Sequence, residues 1–331
     1  MSDLAPTTGA SRRWDISRWA IGLLIAALLL AVPVATNEYT QYVVNSIVVY
    51  ALVGLGFNIV IGYLGQLAFA NAALFGIGAY TSGILMTKVG FPYELAILSS
   101  AAVGFVAGAL VGLPALRLKG YYLAIVTLAF GELLRWAYIH ADFLTDGSSG
   151  LPVGEPSVLG YTLTTDVERY YLILAVTAFM FWLTRNILAS KVGRAFVAIR
   201  ENELAGQALG LAPAYVKITA FAWSGLLVGV AGSLFAILLG RIAPENFGLH
   251  QLLVHFSIVM IGGLGSLLGS VLGATLLTAA PELLRNFAGL EEIVFSLLLI
   301  GVLLFMPRGL AGLVVTYVPQ WRERLYRGGP R

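Results

Sequence analysis

Long apolar runs follow one another through most of this chain, and most are about 20 residues long, the length that a helix needs to cross a bilayer. Hydrophobic residues make up 59% of the 331 residues and charged residues 11%, which is more apolar surface than a soluble domain can bury. Because lipid offers no partner to free backbone groups, segments of this kind have to be helical. The sequence therefore predicts an all-α, polytopic integral membrane protein.

We predict about ten transmembrane helices from the positions of these runs. Their bounds are 19–36, 42–61, 68–87, 93–114, 121–139, 170–188, 217–239, 251–263, 266–281 and 291–306. The third segment opens with the polar, glycine-rich sequence GYLGQLAFANAALFG, so we expect a broken or re-entrant helix there. The eighth and ninth segments are short and are joined by a tight turn, IGGLGSLLG. A membrane domain, 19–306, thus separates two tails, 1–18 and 307–331.

Lysine and arginine orient these spans. Most of the 20 basic residues fall on the cytoplasmic side if both termini are cytoplasmic. This topology puts the hydrophilic loop 189–216 in the cytoplasm and the long loop 140–169 outside. Arg12 and Arg13 before an apolar run resemble a twin-arginine export signal. Nine further spans follow without a convincing small-residue cleavage site, so we expect 19–36 to be a retained first helix.

Several kinds of chemistry are missing from the sequence. The chain has no cysteine, its three histidines lack metal-ligand spacing, and none of the phosphate-loop, nucleophile-elbow or zinc-protease motifs occurs. We therefore expect no catalytic residue, no metal site and no cofactor bound by this chain. An enzyme would have to use Glu132, Arg135, His140 and Asp142, the one polar cluster near an interface. If ATP drives this protein, a separate polypeptide must bind ATP and magnesium.

Glycines at four-residue spacing indicate closely packed helices, because residues four apart share one helix face. The packing could lie within one subunit, which we favour, or at a dimer seam. The glycines concerned are Gly104, Gly108 and Gly112 in the fourth span, Gly225 and Gly229 in the seventh, and Gly265, Gly269 and Gly273 in the ninth.

Few polar side chains lie at membrane depth, where they are the usual pointers to function. Glu132 and Arg135 are one turn apart in the fifth span and could form a local ion pair, or contact a zwitterionic solute or a partner. Gln66 and Asn71 could bond neighbouring helices or line a pathway. The scarcity of buried ionisable residues weakens the alternative of an ion-driven secondary transporter or a channel.

The predicted external loop contains a strong turn signal, Gly147, Ser148, Ser149 and Gly150, which follows Asp146. This loop is about 30 residues long, and ordered connections of that length are uncommon unless they are functional. We expect a docking or gating role, with a simple connector as the alternative.

The segment from Lys191 to Gly210, KVGRAFVAIRENELAGQALG, is hydrophilic and helical in character between two apolar runs. A solvated basic turn would also obey the positive-inside rule. A transporter driven by a separate soluble motor, however, needs a helical segment for that motor to bind.

This segment resembles the cytoplasmic coupling loop of branched-chain amino-acid ABC transporter permeases of the LivM type. The family pattern is close to G-R-A-x-x-A-I-R-x-N-E-x-x-A-x-x-x-G. It is matched here by Gly193, Arg194, Ala195, Ala198, Ile199, Arg200, Asn202, Glu203 and Gly210. GYLGQLAFANAALFGIGAY, TLAFGELLR and FMPRGLAGL are also similar to the family, so the resemblance covers residues 40–313.

The resemblance implies a permease subunit of a binding-protein-dependent importer in the bacterial cytoplasmic membrane. It would carry branched-chain or other hydrophobic amino acids, although urea and short-amide permeases share most of the pattern. The implied partners are a homologous second permease, two cytoplasmic ATPase subunits and an extracytoplasmic binding protein, with no nucleic acid. The residues expected to couple to the ATPase, partly through charge pairs, are Gly193, Arg194, Ile199, Arg200, Asn202, Glu203 and Gly210. Those expected at the pathway or binding protein are Gln66, Asn71, Glu132, Gly147, Ser148, Ser149 and Gly150.

Overall fold

The computed structural model describes residues 29–33, 36–158, 160–284, 297, 300–301 and 309–317. Its helices are α1 Glu38–Asn58, α2 Asn71–Ile84, α3 Tyr93–Gly112, α4 Tyr121–His140, α5 Asp142–Thr145, α6 Asp166–Ala189, α7 Lys191–Glu201, α8 Glu203–Ala208, α9 Pro213–Leu239, α10 Leu249–Gly262, α11 Leu267–Leu284 and α12 Gly309–Tyr317. π-Helical turns extend α1 over Ile59–Tyr63 and α2 over Leu85–Val89, and 3₁₀ turns cover Pro114–Leu116, Gly147–Ser149 and Pro244–Phe247. The strands are β1 Leu151–Pro152, β2 Ser157–Val158, β3 Tyr161–Thr162 and β4 Arg241–Ile242.

Six helices of the described residues are long and apolar enough to cross a membrane: α1, α2, α3, α4, α6 and α9, with their end turns. The antiparallel pair α10 and α11 is shorter. The predicted all-α, polytopic class is confirmed, with short antiparallel strand pairs (β1 with β4, β2 with β3) confined to connections. Most of the predicted first and tenth spans, and the tail 1–18, lie outside the described residues.

Helix α9 is the central element of the bundle. It packs against α1, α2 and α3, and it is almost entirely buried between Ala220 and Ile237. Helices α4 and α6 lie at the periphery, where only 22% of their apolar windows are covered by the rest of the chain. A helix apolar on all sides is either buried or faces lipid, and these two groups of helices represent the two cases.

Glycine allows α3 and α9 to approach until their backbones touch. A methyl group added to Gly225 would lie 2.8 Å from the Cα atom of Gly108, and one added to Gly229 would lie 2.6 Å from the carbonyl oxygen of Ser100. Glycines of α10 and α11 meet in the same way, since a methyl group on Gly269 would lie 2.7 Å from the carbonyl oxygen of Gly262. These glycines therefore pack helices of one subunit, as the spacing predicted, and are not exposed at a dimer seam.

The break predicted for the third segment lies just before its helix. The chain leaves α1 through the π-helical turn and then runs without regular structure to Asn71. Its backbone is held by two bonds: the amide of Gln66 donates to the carbonyl of Val60 (2.9 Å), and the amide of Phe69 donates to the hydroxyl of Thr127 in α4 (2.7 Å). Irregular backbone at membrane depth needs such protein partners.

Part of the predicted C-terminal tail, residues 309–317, is helix α12. Its buried Ala311 lies in the bundle, and Gly309 packs against Gly263 at the turn between α10 and α11. The sequence GLAGLVVTY is apolar enough to explain why this segment packs against the bundle.

We predict that Gly225→Ala weakens the bundle. Because the new methyl group would meet backbone atoms that cannot rotate away, α3 and α9 must separate, at a cost of about 1–3 kcal/mol. The measurement is the temperature at which the detergent-solubilised protein loses its monodisperse elution peak. Gly131→Ala is the matched control, since its methyl group would meet only Phe69 and Ala73, at 3.8 and 3.9 Å. Equal transition temperatures for the two variants would contradict the close-packing account.

Candidate functional site

Helices α7 and α8 begin at side chains that cap their first turns. The hydroxyl of Ser190 accepts the amide of Val192 (3.1 Å), and the Asn202 side chain accepts the amide of Ala205 (3.0 Å). Such caps satisfy amides that have no partner within the helix. Asn202 also adopts an extended backbone (φ −159°), which separates the two helices and sets the bend between them.

One face of α7 packs onto the bundle. Phe196 and Ile199 are buried in the core, and Gly193 lies so close to Leu188 that a methyl group there would overlap its backbone. Of the predicted coupling residues, Gly193 and Ile199 are therefore inside the fold and orient α7. Gly210 ends the segment in a left-handed conformation (φ 84°) with open space around it.

Glu203, the first residue of α8, lies between two lysines of the bundle. Its carboxylate is 2.6 Å from Lys119 and 2.9 Å from Lys217, and the side chain of Lys217 is only 1% exposed. Lys217 also reaches the carbonyl oxygen of Ala115 (3.4 Å). The hydrogen bond from Lys119, followed by that from Lys217, holds the pKa of the Glu203 carboxyl below its ordinary value. These bonds join α8 to α9 and to the connection after α3.

Arg200, in the last turn of α7, is joined to the end of α1. Its guanidinium donates to the carbonyl oxygen of Gly62 in the π-helical turn. Its aliphatic stem crosses Gly65, where a methyl group would lie 2.7 Å from the Cγ atom of Arg200. Arg200 and Glu203 are thus both engaged within the chain, although the sequence pattern suggested charge pairs with a partner.

The remaining face of α7 and α8 is open. Lys191, Arg194 and Glu201 are exposed, and so are two leucines, Leu204 (75%) and Leu209 (84%). Large apolar side chains exposed beside charges are typical of a helix that inserts into a groove of a partner. We call these five residues the α7–α8 outer face.

At the opposite end of the bundle, the predicted docking loop is ordered. Asp146 has a left-handed backbone (φ 57°), and its carboxylate pairs with Lys88 at 2.8 Å. Gly147 and Gly150 also have positive φ, and a methyl group on Gly150 would lie 2.9 Å from the carbonyl oxygen of Ile242. This turn therefore requires glycine at both positions.

Strand β1, which follows this turn, pairs with β4 at the end of α9. The guanidinium of Arg241 in β4 donates to the carbonyl oxygen of Ser149 (2.9 Å). Ser148 and Ser149 remain exposed, and Phe143, in α5 just before the turn, is 80% exposed. A rigid loop with an exposed aromatic side chain is suited to protein contact.

Glu132 and Arg135 form the local ion pair that their spacing predicted, with 3.2 Å between carboxylate and guanidinium. Both side chains are partly exposed (47% and 38%) although Glu132 is 8 residues from the end of α4, about 12 Å along the helix. The Nε atom of Arg135 is buried with no hydrogen-bond partner among the described residues.

The other two polar residues have different environments. Asn71, at the start of α2, is buried, and its side chain bonds the ring of His255 in α10 (3.2 Å). Its Oδ1 atom has no hydrogen-bond partner among the described residues, and the residue lines a cavity of about 10 Å³, enough for one water molecule. Gln66 is partly exposed on the irregular segment before α2.

Asn58 is a polar residue whose importance sequence reasoning missed. Its side chain is fully buried, accepts the amide of Gly265 (2.7 Å) and donates to the carbonyl oxygen of Ser266 (2.9 Å). It thereby fixes the turn between α10 and α11 to α1. A lone asparagine in the apolar run LVGLGFNIVIG was the available signal, because an amide in lipid must find partners.

No group of histidine, cysteine or acidic residues among the described residues could hold a metal ion. What the described residues provide is a glycine-packed bundle with an ordered loop at one end and two braced amphipathic helices at the other. This arrangement is that of a multi-pass membrane permease.

Comparison with known proteins agrees with that class. The family model described as "Branched-chain amino acid transport system / permease component" matches residues 39–307. The chain belongs to this family, and it is a transport subunit rather than an enzyme. No solved structure is a significant match.

Among the curated relatives, the high-affinity branched-chain amino-acid permease LivM of Escherichia coli is 31% identical over 313 residues, which cover 87% of this chain and 74% of the relative. BraD of Pseudomonas aeruginosa is 29% identical over 83% of this chain and 96% of its own length. LivH of Escherichia coli is 28% identical over 80% of this chain and 91% of its own length.

We predict that Glu203→Gln loosens α8. Removing the carboxylate leaves the buried ammonium of Lys217 without its counter-ion, a change that costs about 3–5 kcal/mol for a buried pair and less for this partly exposed one. The measurement is the rate of limited proteolysis between Leu204 and Leu211 at pH 7. Glu201→Gln is the control, since the described residues give Glu201 no ion-pair partner.

The difference in proteolysis rate between wild type and Glu203→Gln should shrink as the pH falls. Because the pKa of Glu203 is lower in the folded protein, its ionised form stabilises the fold at pH 7, and this stabilisation is lost as the pH falls through the lowered pKa. Wild type and Glu203→Gln should therefore converge in acid. Equal proteolysis rates for wild type and Glu203→Gln at pH 7 would show that the ion pairs of Glu203 with Lys119 and Lys217 do not hold α8 in place.

Proposed function

We propose that this chain is the permease subunit of an ABC importer that moves branched-chain amino acids across the bacterial cytoplasmic membrane. The observation that carries the proposal is the family match over residues 39–307, combined with an exposed helical segment that is braced from inside. The relatives LivM, BraD and LivH are all described as permease proteins of high-affinity branched-chain amino-acid transport.

ATP would be hydrolysed by two separate cytoplasmic subunits, which would also bind magnesium. The α7–α8 outer face is the proposed contact, with Leu204 and Leu209 inserted into a groove of the ATPase and Arg194 at the rim. Rim charges contribute to orientation and association rate more than to affinity. Gly193, Ile199, Arg200, Asn202, Glu203 and Gly210 would act in coupling by holding that face in position.

An extracytoplasmic binding protein would deliver the solute at the other end. The exposed side chains of Ser148 and Ser149 and the ring of Phe143 are the proposed contact, on a turn whose backbone conformation requires Gly147 and Gly150. A second, homologous permease would complete the pathway. The similarity of this chain to both LivM and LivH supports a paired arrangement of related subunits.

The test is ATP hydrolysis by the complete complex in proteoliposomes, with binding protein that is empty, loaded with leucine or loaded with urea. We predict stimulation by the leucine-loaded protein. Stimulation with urea alone would keep the importer class and change the substrate. Leucine uptake without any accompanying ATP hydrolysis would contradict the proposal.

The ion pair Glu132–Arg135 is the proposed contact for the solute along the pathway. An amino acid in the pathway is a zwitterion, so its carboxylate and ammonium groups would find complementary charges on adjacent turns of α4. Both side chains are partly exposed although Glu132 lies about 12 Å and Arg135 about 7.5 Å from the end of a membrane helix, and charged groups at such depth usually face the protein interior or a water-filled cavity rather than lipid. Gln66 would add a polar group from the irregular segment before α2. Asn71 follows this segment and is held in place by its hydrogen bond to the ring of His255.

We predict that Glu132→Gln and Arg135→Gln each raise the KM for leucine uptake about tenfold. Loss of one hydrogen bond to a charged group costs about 1.5–3 kcal/mol, and 1.4 kcal/mol corresponds to a factor of ten. The double variant Glu132→Arg with Arg135→Glu keeps a local ion pair but reverses its direction. Normal uptake by this swapped protein would show that the pair is structural only.

A further inference from the structure

The carbonyl oxygen that accepts the hydrogen bond of Arg200 belongs to Gly62, and Gly62 also contacts the turn between α10 and α11. We propose that Gly62, together with Asn58, is the joint through which α7 moves the α10–α11 hairpin. The proposal rests on the proposed function, since it describes how ATPase motion would reach the membrane helices. Asn58 and Gly62 are positioning residues, and neither is assigned a contact with the solute.

The hairpin side of the joint is a set of buried hydrogen bonds. Besides its bonds to Gly265 and Ser266, the amide of Asn58 lies 3.2 Å from the hydroxyl of Ser270 and 3.3 Å from the carbonyl oxygen of Gly263. The nitrogen and the oxygen of the Asn58 side-chain amide therefore both form hydrogen bonds with residues at or next to the turn between α10 and α11. Because no water is available at this depth, separating the hairpin tip from Asn58 would leave these buried donors and acceptors without hydrogen-bond partners, which is energetically costly.

The α7 side of the joint is one turn further along the chain. The Cα atom of Gly62 lies so close to the Oδ1 atom of Asn58 and the amide nitrogen of Gly265 that a methyl group would overlap both. The carbonyl oxygen of the same residue accepts the guanidinium of Arg200. A single glycine therefore lies between the last turn of α7 and the hairpin tip.

The backbone at this point can change its hydrogen bonding. Gly62 lies in the π-helical turn Ile59–Tyr63, where the amide of Leu64 donates to the carbonyl of Ile59 (2.9 Å) across five residues. Isolated π-helical turns are often found at functional sites, and a coupling claim requires an element with two arrangements. Conversion of this turn to regular α-helix would rotate Gly62 and shift both Arg200 and the hairpin tip.

The motion would reach residues deep in the bundle. Helix α10 carries His255, which bonds Asn71 at the start of α2, and α12 contacts the hairpin tip through Gly309 and Gly263. A displacement of the hairpin would therefore alter the start of α2 and the irregular segment before it. In the proposed transport cycle, that segment carries Gln66 at the pathway.

The experiment compares leucine transported per ATP hydrolysed in proteoliposomes for Gly62→Ala, Arg200→Gln and their combination, with Gly131→Ala as the control. We expect each single variant to lower the ratio about fivefold or more, within the range of measured coupling energies. The combination should be no worse than the stronger single variant, because both act through one joint. Gly131→Ala should match wild type.

Co-purification of the ATPase separates the joint from the docking surface. Arg200→Gln should retain the ATPase, whereas loss of the ATPase would show that Arg200 acts on docking, either in the contact or by orienting the α7–α8 outer face, and would overturn the proposal. A wild-type ratio in either single variant, or effects that multiply in the combination, would also overturn it. If Gly62→Ala does not fold, Asn58→Ala replaces it, because it removes the hydrogen bonds to Gly265 and Ser266 on the hairpin side of the joint.

The proposed function can fail independently of the joint. If neither leucine-loaded nor urea-loaded binding protein stimulates ATP hydrolysis by the wild-type complex, the importer proposal is wrong. If the wild type is stimulated and the variants keep its ratio, only the joint is wrong.

Discussion

Backbone contact between glycine-bearing helices is the constraint on which the rest of this structure depends. Lipid is as apolar as leucine, so burial of apolar side chains cannot by itself hold membrane helices together. Close approach at Gly225 and Gly229 supplies dispersion contacts and seats α9 among α1, α2 and α3. With α9 fixed, its second turn carries Lys217 at one end of the bundle, and Arg241 in β4 follows the last residue of α9 at the other.

The two ends are organised by the same principle. At one end, Lys217 pairs with Glu203 and orients α8, while Arg200 binds the end of α1 and orients α7. At the other end, β4 pairs with β1 and Arg241 binds Ser149, which fixes the turn. In both places the bracing ion pairs and hydrogen bonds lie within the chain, and the exposed groups that remain are large apolar side chains, accompanied by Lys191, Arg194 and Glu201 at the α7–α8 end and by serine hydroxyls at the other. A surface prepared in this way pays little ordering entropy when a partner binds.

Much of the fold could be predicted from the sequence, because span length and glycine spacing are local signals. The helices α3, α4 and α6 begin and end within a few residues of the predicted bounds, and the packing of Gly104 and Gly108 within one subunit is confirmed. The helical segment 191–210 was predicted from its own composition. The family was predicted from the order of residues within it, and the family match confirms this.

The partners of individual side chains could not be predicted in the same way. Arg200 and Gly62 are 138 residues apart, and Asn58 and Gly265 are 207 apart, so each pair is created by the packing of helices. Charge order suggested that Arg200 and Glu203 face a partner, whereas the fold uses both to brace the segment. The ATPase-facing role of this segment remains a proposal, and it now rests on Leu204, Leu209 and Arg194.

The most direct test of this account is the structure of the assembled complex by electron cryo-microscopy. We expect Leu204 and Leu209 to be buried against the ATPase, while the Arg200 guanidinium stays bonded to the Gly62 carbonyl and the Glu203 carboxylate stays between Lys119 and Lys217. A complex in which Arg200 and Glu203 have left their own chain to pair with the ATPase, with the two leucines exposed, would contradict it.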